Sequence, residues 1–310
     1  MINSLYEHDI LSIKDLSLEQ IQLILKTAKQ LKQNPGSQRI QGKIVAQCFF
    51  EASTRTRLSF ESAALRLGGN NIGFSSDEVL STKKGETLQD TIRVISEYAD
   101  LIVIRHPREG AARLAAEVSA KPVINAGDGA NQHPTQALVD LFTIQECQKS
   151  VDGLSIALVG DLKYGRTIHS FAQVCMLFDV RLYLVSPEEL ALPESICDAL
   201  KKQGVRFSFH RSMEEVLPKV DILYLTRIQQ ERFSEAEYQL AKSNYVLTPA
   251  LLSNVKTKAN LKVLHPLPRV NEIDIGVDKT PYSHYFIQAA NGVCVRQALL
   301  ALLLNEKLLS

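Results

Sequence analysis

Ile44-Val45-Ala46-Gln47-Cys48-Phe49-Phe50 is a short, almost unbroken apolar run, and Glu51-Ala52-Ser53-Thr54-Arg55-Thr56-Arg57 follows it directly. Seven residues are too few for a typical buried helix and suit a strand covered on both faces. Phe60, Ala63, Ala64 and Leu67 then recur at helical spacing. The stretch therefore predicts a strand that turns into a helix, with two hydroxyls and two guanidiniums at the helix start. The first backbone N–H groups of a helix have no internal partner, and its dipole is positive there, so such a start binds phosphate.

Helical and strand patterns continue on either side. Upstream, Ser17 and Gln20 have capping-box spacing, and Ile21, Ile24, Leu25 and Ala28 line one face of a first helix that Asn34-Pro35-Gly36 ends. Downstream come a helical face at Leu88, Thr91, Ile92 and Ile95, a strand at 101–104 and a short strand at 123–124. A helix opened by Pro134 follows, with Leu138, Leu141 and Phe142 on one side. The second half gives strands at 155–159, 182–185, 205–209, 222–225 and 263–264, a helix face at Ile168, Phe171, Ala172 and Cys175, and a closing helix over 291–305.

Strands alternating with helices imply parallel sheets with crossover helices. The expected fold is α/β with two domains, each a parallel β-sheet flanked by helices, and the active site in the interdomain cleft. The Asp152-Gly153 break separates residues 1–150 from residues 151–290, and the helix of residues 291–310 is expected to pack back on the first domain. A length of 310 residues fits two domains.

Composition excludes several classes. Lys and Arg number 35 against 34 Asp and Glu, a net charge of +1 that lacks the basic excess of a nucleic-acid binder. Apolar residues at 45% and charged residues at 22% suit a globular chain rather than a disordered one. Ala298 to Leu304 is the longest unbroken apolar run and falls far short of a membrane span, so no membrane association is expected. Met1 to His8 has neither a basic start nor an apolar stretch, so no secretory signal is expected. Cys48, Cys147, Cys175, Cys197 and Cys294 are scattered and read as small buried hydrophobes in a reducing cytoplasm.

Ligands of open parallel sheets bind beyond the carboxyl ends of the strands. Six strand ends deliver a cation or imidazole there: Ser53 to Arg57, Arg105-His106, His133, Arg166, Arg227, and His265 with Arg269. In a nearly neutral chain this local concentration predicts a pocket for more than one anionic group. Gly160-Asp161-Leu162-Lys163-Tyr164-Gly165-Arg166-Thr167 meets the Walker spacing with Arg in place of Lys, and Gly127-Asp128-Gly129 begins like a dinucleotide fingerprint. Either pair of glycines also serves a tight strand-to-helix turn.

Phe50-Glu51-Ala52-Ser53-Thr54-Arg55-Thr56-Arg57 resembles the carbamoyl-phosphate signature of the aspartate/ornithine carbamoyltransferase family, and His133-Pro134-Thr135-Gln136-Ala137-Leu138-Val139-Asp140 resembles its second signature. Lys84-Gly85-Glu86-Thr87, Arg105-His106-Pro107, Asp161 to Thr167 and His265-Pro266-Leu267-Pro268-Arg269 match in the family's order. Thr226-Arg227-Ile228-Gln229, and Pro266 where ornithine enzymes usually carry Cys, resemble the aspartate branch. Asn271 departs from the acidic residue expected after Pro268-Arg269-Val270, which bears on closure of that loop.

The resemblance implies transfer of a carbamoyl group from carbamoyl phosphate to the amino group of L-aspartate, as in pyrimidine biosynthesis, by direct attack without a covalent intermediate. It implies that Ser53, Thr54, Arg55, Thr56 and Arg105 hold the phosphate. Thr56, Arg105 and His133 would donate to the carbonyl oxygen, and Gln136 with the backbone of Pro266, Leu267 and Pro268 would hold the carbamoyl NH2. Lys84, Arg166, Arg227 and Gln229 would bind aspartate. Glu51, Lys163, Arg232 and Glu237 are candidate ion-pair partners of a closed form.

No cofactor and no metal are implied. The expected assembly is a cytoplasmic homotrimer with shared active sites, Ser81 and Lys84 reaching into the neighbouring subunit's site. A zinc-containing regulatory chain, forming a dodecamer of catalytic and regulatory chains, is a further expected partner. Three rival readings fit the sequence: a nucleotide-binding protein using residues 160–167, a non-catalytic anion-binding or partner module, and a carbamoyltransferase acting on ornithine or another amino acid.

Overall fold

The structure, a computed structural model, describes residues 3–36, 38–75, 85–227 and 245–307. The chain divides into two compact units, residues 1–139 with 290–310, and residues 140–289.

In the first unit, strands β1 (Ile44–Phe49), β2 (Asn70–Ser75), β3 (Leu101–His106) and β4 (Val123–Asp128) form a parallel sheet in the order β2-β1-β3-β4. Helices α1 (Leu18–Gln33), α2 (Thr54–Arg66), α3 (Leu88–Tyr98) and α4 (Ala111–Val118) belong to it. Alternate residues of β1 and β3 enter opposite faces, and both faces are dry. Ala46, Cys48, Ile102 and Ile104 pack with Ile92 and Ala115 on one side, while Val45, Phe49, Leu101 and Val103 are fully buried on the other. Burial of each such large side chain contributes about 1.5–3 kcal/mol. The capping box foreseen at α1 forms in full: Gln20 N–H donates to Ser17 Oγ, and Ser17 N–H donates to Gln20 Oε1.

β2 was not foreseen from sequence. It is an edge strand, largely open to solvent, and Asn70-Asn71-Ile72-Gly73 carries no apolar alternation. Gly73 has φ 144°, and a Cβ there would stand 2.2 Å from the Gln47 carbonyl oxygen, so this register with β1 requires glycine.

In the second unit, β5 (Ser155–Val159), β6 (Arg181–Val185), β7 (Arg206–His210), β8 (Ile222–Leu225) and β9 (Lys262–Leu264) are parallel in the order β7-β6-β5-β8-β9. Before them comes α5 (Pro134–Gln148), within which the division between units falls; α6 (Arg166–Cys175), α7 (Glu194–Lys202) and α8 (Pro249–Asn254) link the strands. Val159, Val185, Leu223, Leu225 and Val263 pack with Met213, Leu217 and Tyr285 in the core.

The last helix, α9 (Tyr285–Leu303), starts six residues before the expected position. From residue 290 it counts with the first unit, where Arg296 Cζ lies 5.1 Å over the Phe60 ring and Gln297 donates to the Pro35 carbonyl at 2.8 Å. It is long and apolar enough to cross a membrane, yet 72% of its apolar window is buried inside the protein, as in a core helix.

Both strand orders reverse direction once, between β1 and β3 and between β5 and β8. Such a switch leaves a crevice beyond the carboxyl ends of the two strands, because the chains leaving them depart toward opposite faces. Ser53 to Arg57 and Arg105 fall at the first place and Arg166 and Arg227 at the second, while His133 follows β4 and His265 follows β9, one strand further out.

Candidate active site

At the first switch, the chain leaves β1 at Phe49 and enters α2 at Thr54. Ser53 takes the cap position in extended conformation, but its side chain makes no capping bond, so its hydroxyl is not used to close the helix start. Thr56 is buried, while Arg55 is solvent-accessible. Desolvation by the adjoining protein wall lowers the Arg55 guanidinium from its ordinary value. The two arginines of this turn differ: Arg57 Nε pairs with Glu61, one helical turn on, at 2.7 Å, and is thereby drawn along the helix.

Arg105, the last residue but one of β3, lies opposite Phe49. Its Nη1 donates to the Ala126 carbonyl at 3.2 Å and its Nη2 stands 2.9 Å from the Glu51 carboxylate. The guanidinium is thus held from β4 and from the β1–α2 turn together. His106, next in line, accepts the Arg108 N–H at Nδ1 and lies against Phe50, with ring centroids 5.0 Å apart. Burial lowers its pKa. Its ring packs against the turn that follows β1 and the start of the turn after β3.

The loop after β4 is organised by Asp128. Its buried carboxylate accepts from Gly110 N–H, Asn125 Nδ2, Asn131 Nδ2 and Gln132 N–H, at 2.8–3.2 Å. Gly127-Asp128-Gly129 is therefore a carboxylate-centred turn, which accounts for the partial dinucleotide pattern. It delivers His133 to the start of α5, where Gln136 and Ala137 N–H groups donate to the His133 carbonyl and the Thr135 hydroxyl lies 3.4 Å from Nδ1. His133 is 4% exposed, so its imidazole sits in a dry surrounding.

At the second switch, Gly160 follows β5 with φ 113°, and a Cβ there would stand 2.3 Å from the Thr226 carbonyl oxygen. Close approach of the two strand ends, not a phosphate, explains this glycine. Asp161 Oδ1 accepts the Tyr164 N–H at 2.9 Å, closing the turn that places Arg166 as the first residue of α6. Thr167, the P-loop metal ligand in the Walker reading, hydrogen-bonds Tyr224. Beyond β8, Thr226 N–H and Oγ1 both donate to the Val159 carbonyl, and Arg227 stands exposed after this anchored residue.

The loop after β9 rests on a buried polar chain. Tyr224 OH donates to Asp140 Oδ2 at 2.8 Å, Gln288 Nε2 donates to Asp140 Oδ1 at 2.7 Å, and His265 N–H donates to Gln288 Oε1 at 2.8 Å. Burial, with the adjacent Asp140 carboxylate, pushes the Tyr224 phenol well above its ordinary value, so it remains a donor. Pro266 and Leu267 are half-buried, Pro268 is exposed, and Leu267 has φ 56°. Asn271 is exposed and its N–H donates to Glu272.

Ser53, Thr54, Arg55, Thr56, Arg105, His133 and Gln136 thus belong to the strand ends of the first sheet. Arg166, Arg227 and the backbone of 266–268 belong to those of the second. Ser81, Lys84, Gln229, Arg232 and Glu237 lie outside the described residues. Sequence reasoning did not single out Asp128, Asp140, Gln288 or Glu272. The available signal was an acid inside an apolar helix, as in Ala137-Leu138-Val139-Asp140-Leu141-Phe142, which requires a buried partner. The five cysteines are free; burial raises Cys48 to about 12 and Cys147 to about 11, which leaves both as unreactive thiols. Among the described residues no group of His, Cys, Asp and Glu is placed to hold a metal ion.

Two parallel α/β units, each with guanidiniums at its topological switch and one with an open helix start, define a protein that handles small phosphate and carboxylate anions. Residues 8–146 match the aspartate/ornithine carbamoyltransferase carbamoyl-P binding domain, and residues 152–303 match the Asp/Orn binding domain of the same family. The aspartate carbamoyltransferase catalytic subunit of Vibrio campbellii is 58% identical over 99% of this chain and 100% of that one. The catalytic subunit of M. jannaschii aspartate transcarbamoylase superposes with a TM-score of 0.88 at 48% identity, over 95% of this chain and 97% of its own. Trypanosoma cruzi aspartate transcarbamoylase, solved with carbamoyl phosphate and aspartate, gives 0.92 at 37% identity, over 98% of this chain and 97% of its own. The chain belongs to the aspartate/ornithine carbamoyltransferase family.

Proposed function

We propose that the chain transfers the carbamoyl group of carbamoyl phosphate to the amino group of L-aspartate, giving N-carbamoyl-L-aspartate and phosphate for pyrimidine biosynthesis. What supports this reading is that Ser53, Arg55, Thr56 and Arg105 lie at the ends of β1 and β3, with His133 after the adjoining β4, and that Arg166 and Arg227 lie beyond β5 and β8. The first set suits a phosphate and an acyl oxygen; the second suits a dicarboxylate.

In this reading residues 1–150 serve carbamoyl phosphate and residues 151–290 serve aspartate. The α2 N–H groups with Ser53, Thr54, Arg55, Thr56 and Arg105 take the phosphate oxygens. Thr56, Arg105 and His133 donate to the carbonyl oxygen, whose negative charge grows as the amine attacks; donors already in place stabilise that charge without reorganising. Gln136 and the carbonyls of Pro266 and Leu267 take the carbamoyl NH2, beside Pro268. Arg166, Arg227, Gln229 and Lys84 take the aspartate carboxylates, where guanidinium forks fix orientation by paired hydrogen bonds. The departing phosphate accepts the amine proton, so no side-chain base is required. Rate enhancement comes from holding two anions in attack geometry and from the oxyanion donors.

The assembly belongs to the same proposal: a cytoplasmic homotrimer to which Ser81 and Lys84 contribute across subunits, with a zinc-containing regulatory chain as a further partner. Leu58 and Leu65 lie seven residues apart on one face of α2, Val94 and Tyr98 share a face of α3, and all four are exposed. Such apolar surface on the first unit supports self-association. The test is product stoichiometry: incubation with both substrates must give N-carbamoyl-L-aspartate and phosphate in equal amounts, and phosphate without the carbamoylated product would refute the reading.

A further inference from the structure

Glu272 and His265 form a relay that ends on a backbone the reaction uses. The Leu267 N–H donates to His265 Nδ1 at 2.8 Å. A backbone amide can only donate, so Nδ1 is the acceptor and the ring hydrogen is on Nε2. Nε2 lies 2.7 Å from Glu272 Oε1, and it donates there. The other carboxylate oxygen accepts the N–H groups of Val270 and Asn271, both at 3.1 Å. His265 is 2% exposed and Glu272 10%, so water does not compete for these bonds. Burial pushes the Glu272 carboxyl up, but the His265 and backbone donors outweigh it and hold the group below its ordinary value.

The Leu267 N–H and the Pro266 carbonyl belong to one peptide plane. In a trans peptide they point in opposite directions, so anchoring the N–H on His265 aims the carbonyl away from the imidazole. Leu267 holds φ 56°, a conformation that a leucine does not adopt without support. We propose that Glu272 is a positioning residue for the carbamoyl group: through His265 it fixes the Pro266–Leu267 peptide, and thereby sets the preference for an amino over a methyl substituent on the acyl phosphate. The inference rests on the reading that the Pro266 and Leu267 carbonyls accept from the carbamoyl NH2.

Acetyl phosphate, which replaces that NH2 by a methyl group of similar size, separates the two. A site built to accept N–H bonds is left with unpaired carbonyls by the methyl analogue. The unaltered chain is expected to bind carbamoyl phosphate more tightly than acetyl phosphate by at least about tenfold. Glu272→Ala should reduce this ratio to about threefold or less while inorganic phosphate, which has no such group, binds unchanged. Glu272→Gln, whose amide oxygen still accepts from Nε2, should keep the ratio. A retained ratio in Glu272→Ala, or one lost as fully in Glu272→Gln, would overturn the relay alone. No preference in the unaltered chain would overturn the carbonyl reading and the relay with it. Should Glu272→Ala fail to bind phosphate, Glu272→Asp, one methylene short of His265, carries the same test.

Discussion

Arg105 Nη2 and the Glu51 carboxylate stand 2.9 Å apart, joining the ends of the two strands that flank the first sheet's switch. The pair holds the guanidinium in place and also neutralises it, so under the proposed function an incoming phosphate would compete with Glu51 for Arg105. Removing that competitor while keeping the shape should strengthen anion binding. Glu51→Gln is expected to tighten inorganic phosphate by about two- to fivefold, a modest effect because Glu51 is partly exposed. Isothermal titration measures it, and weaker binding would show that Glu51 serves Arg105 chiefly as a support.

His133 combines burial with a place at the start of α5 among the proposed oxyanion donors. Loss of one such donor costs about 2.7–4 kcal/mol of transition-state stabilisation. His133→Ala should therefore lower kcat by about 10²–10³ while leaving inorganic phosphate affinity within about threefold. Steady-state kinetics beside phosphate titration checks both, and a nearly unchanged kcat would remove His133 from the reaction.

Arg55 and Lys84 are expected to serve one site from different subunits. Arg55→Ala and Lys84→Ala chains should each be inactive alone. Mixed after dissociation, they should regain activity, because some sites then draw intact residues from both parents. Activity of the mixture no higher than the sum of its parents would mean that each chain carries its own complete site.

Asp221 ties the second sheet together at the start of β8. Its carboxylate accepts from Ser155 N–H, Lys258 Nζ and Asn260 Nδ2 at 2.9–3.0 Å. Burial pushes this carboxyl up, but these three donors outweigh it and its folded pKa lies below the unfolded value. The folded state therefore binds fewer protons. The stabilisation is complete above the unfolded carboxylate value, about 3.9, and is lost as pH falls through the lower folded value. Asp221→Asn should lose less stability than the unaltered chain as pH falls from about 5 through the folded value. Asp221→Ala, which strips the acceptor from three part-buried donors, should cost about 1–2 kcal/mol at neutral pH. Urea unfolding at several pH values tests both, and parallel acid limbs would exclude Asp221 as a contributor.

Much of this architecture was legible because buried parallel strands are apolar throughout. Ser155–Val159 and Ile222–Leu225 stand where the hydrophobic runs lie. The misses share a cause: where burial is not carried by apolar side chains, a hydrophobic pattern is silent. β2 is an exposed edge; β4 continues through Asn125, Gly127 and Asp128, which are buried but polar or side-chain-free; and α4 is short and buries only alanines, so no large apolar side chain marks its inward face. The proposed site was readable where a residue type itself brings charge to a strand end, as with Arg55, Arg105 and Arg166. It was unreadable where a polar residue acts by holding the backbone, as with Asp128 and Glu272, because those roles exist only once distant segments meet.

Acceptor choice decides whether this chain carbamoylates aspartate. With saturating carbamoyl phosphate, kcat/KM should be measured for L-aspartate and for L-ornithine. Arg166 and Arg227 favour a second carboxylate and repel a second amine, so L-aspartate should exceed L-ornithine by at least about 10³. Equal rates, or a preference for ornithine, would contradict the account.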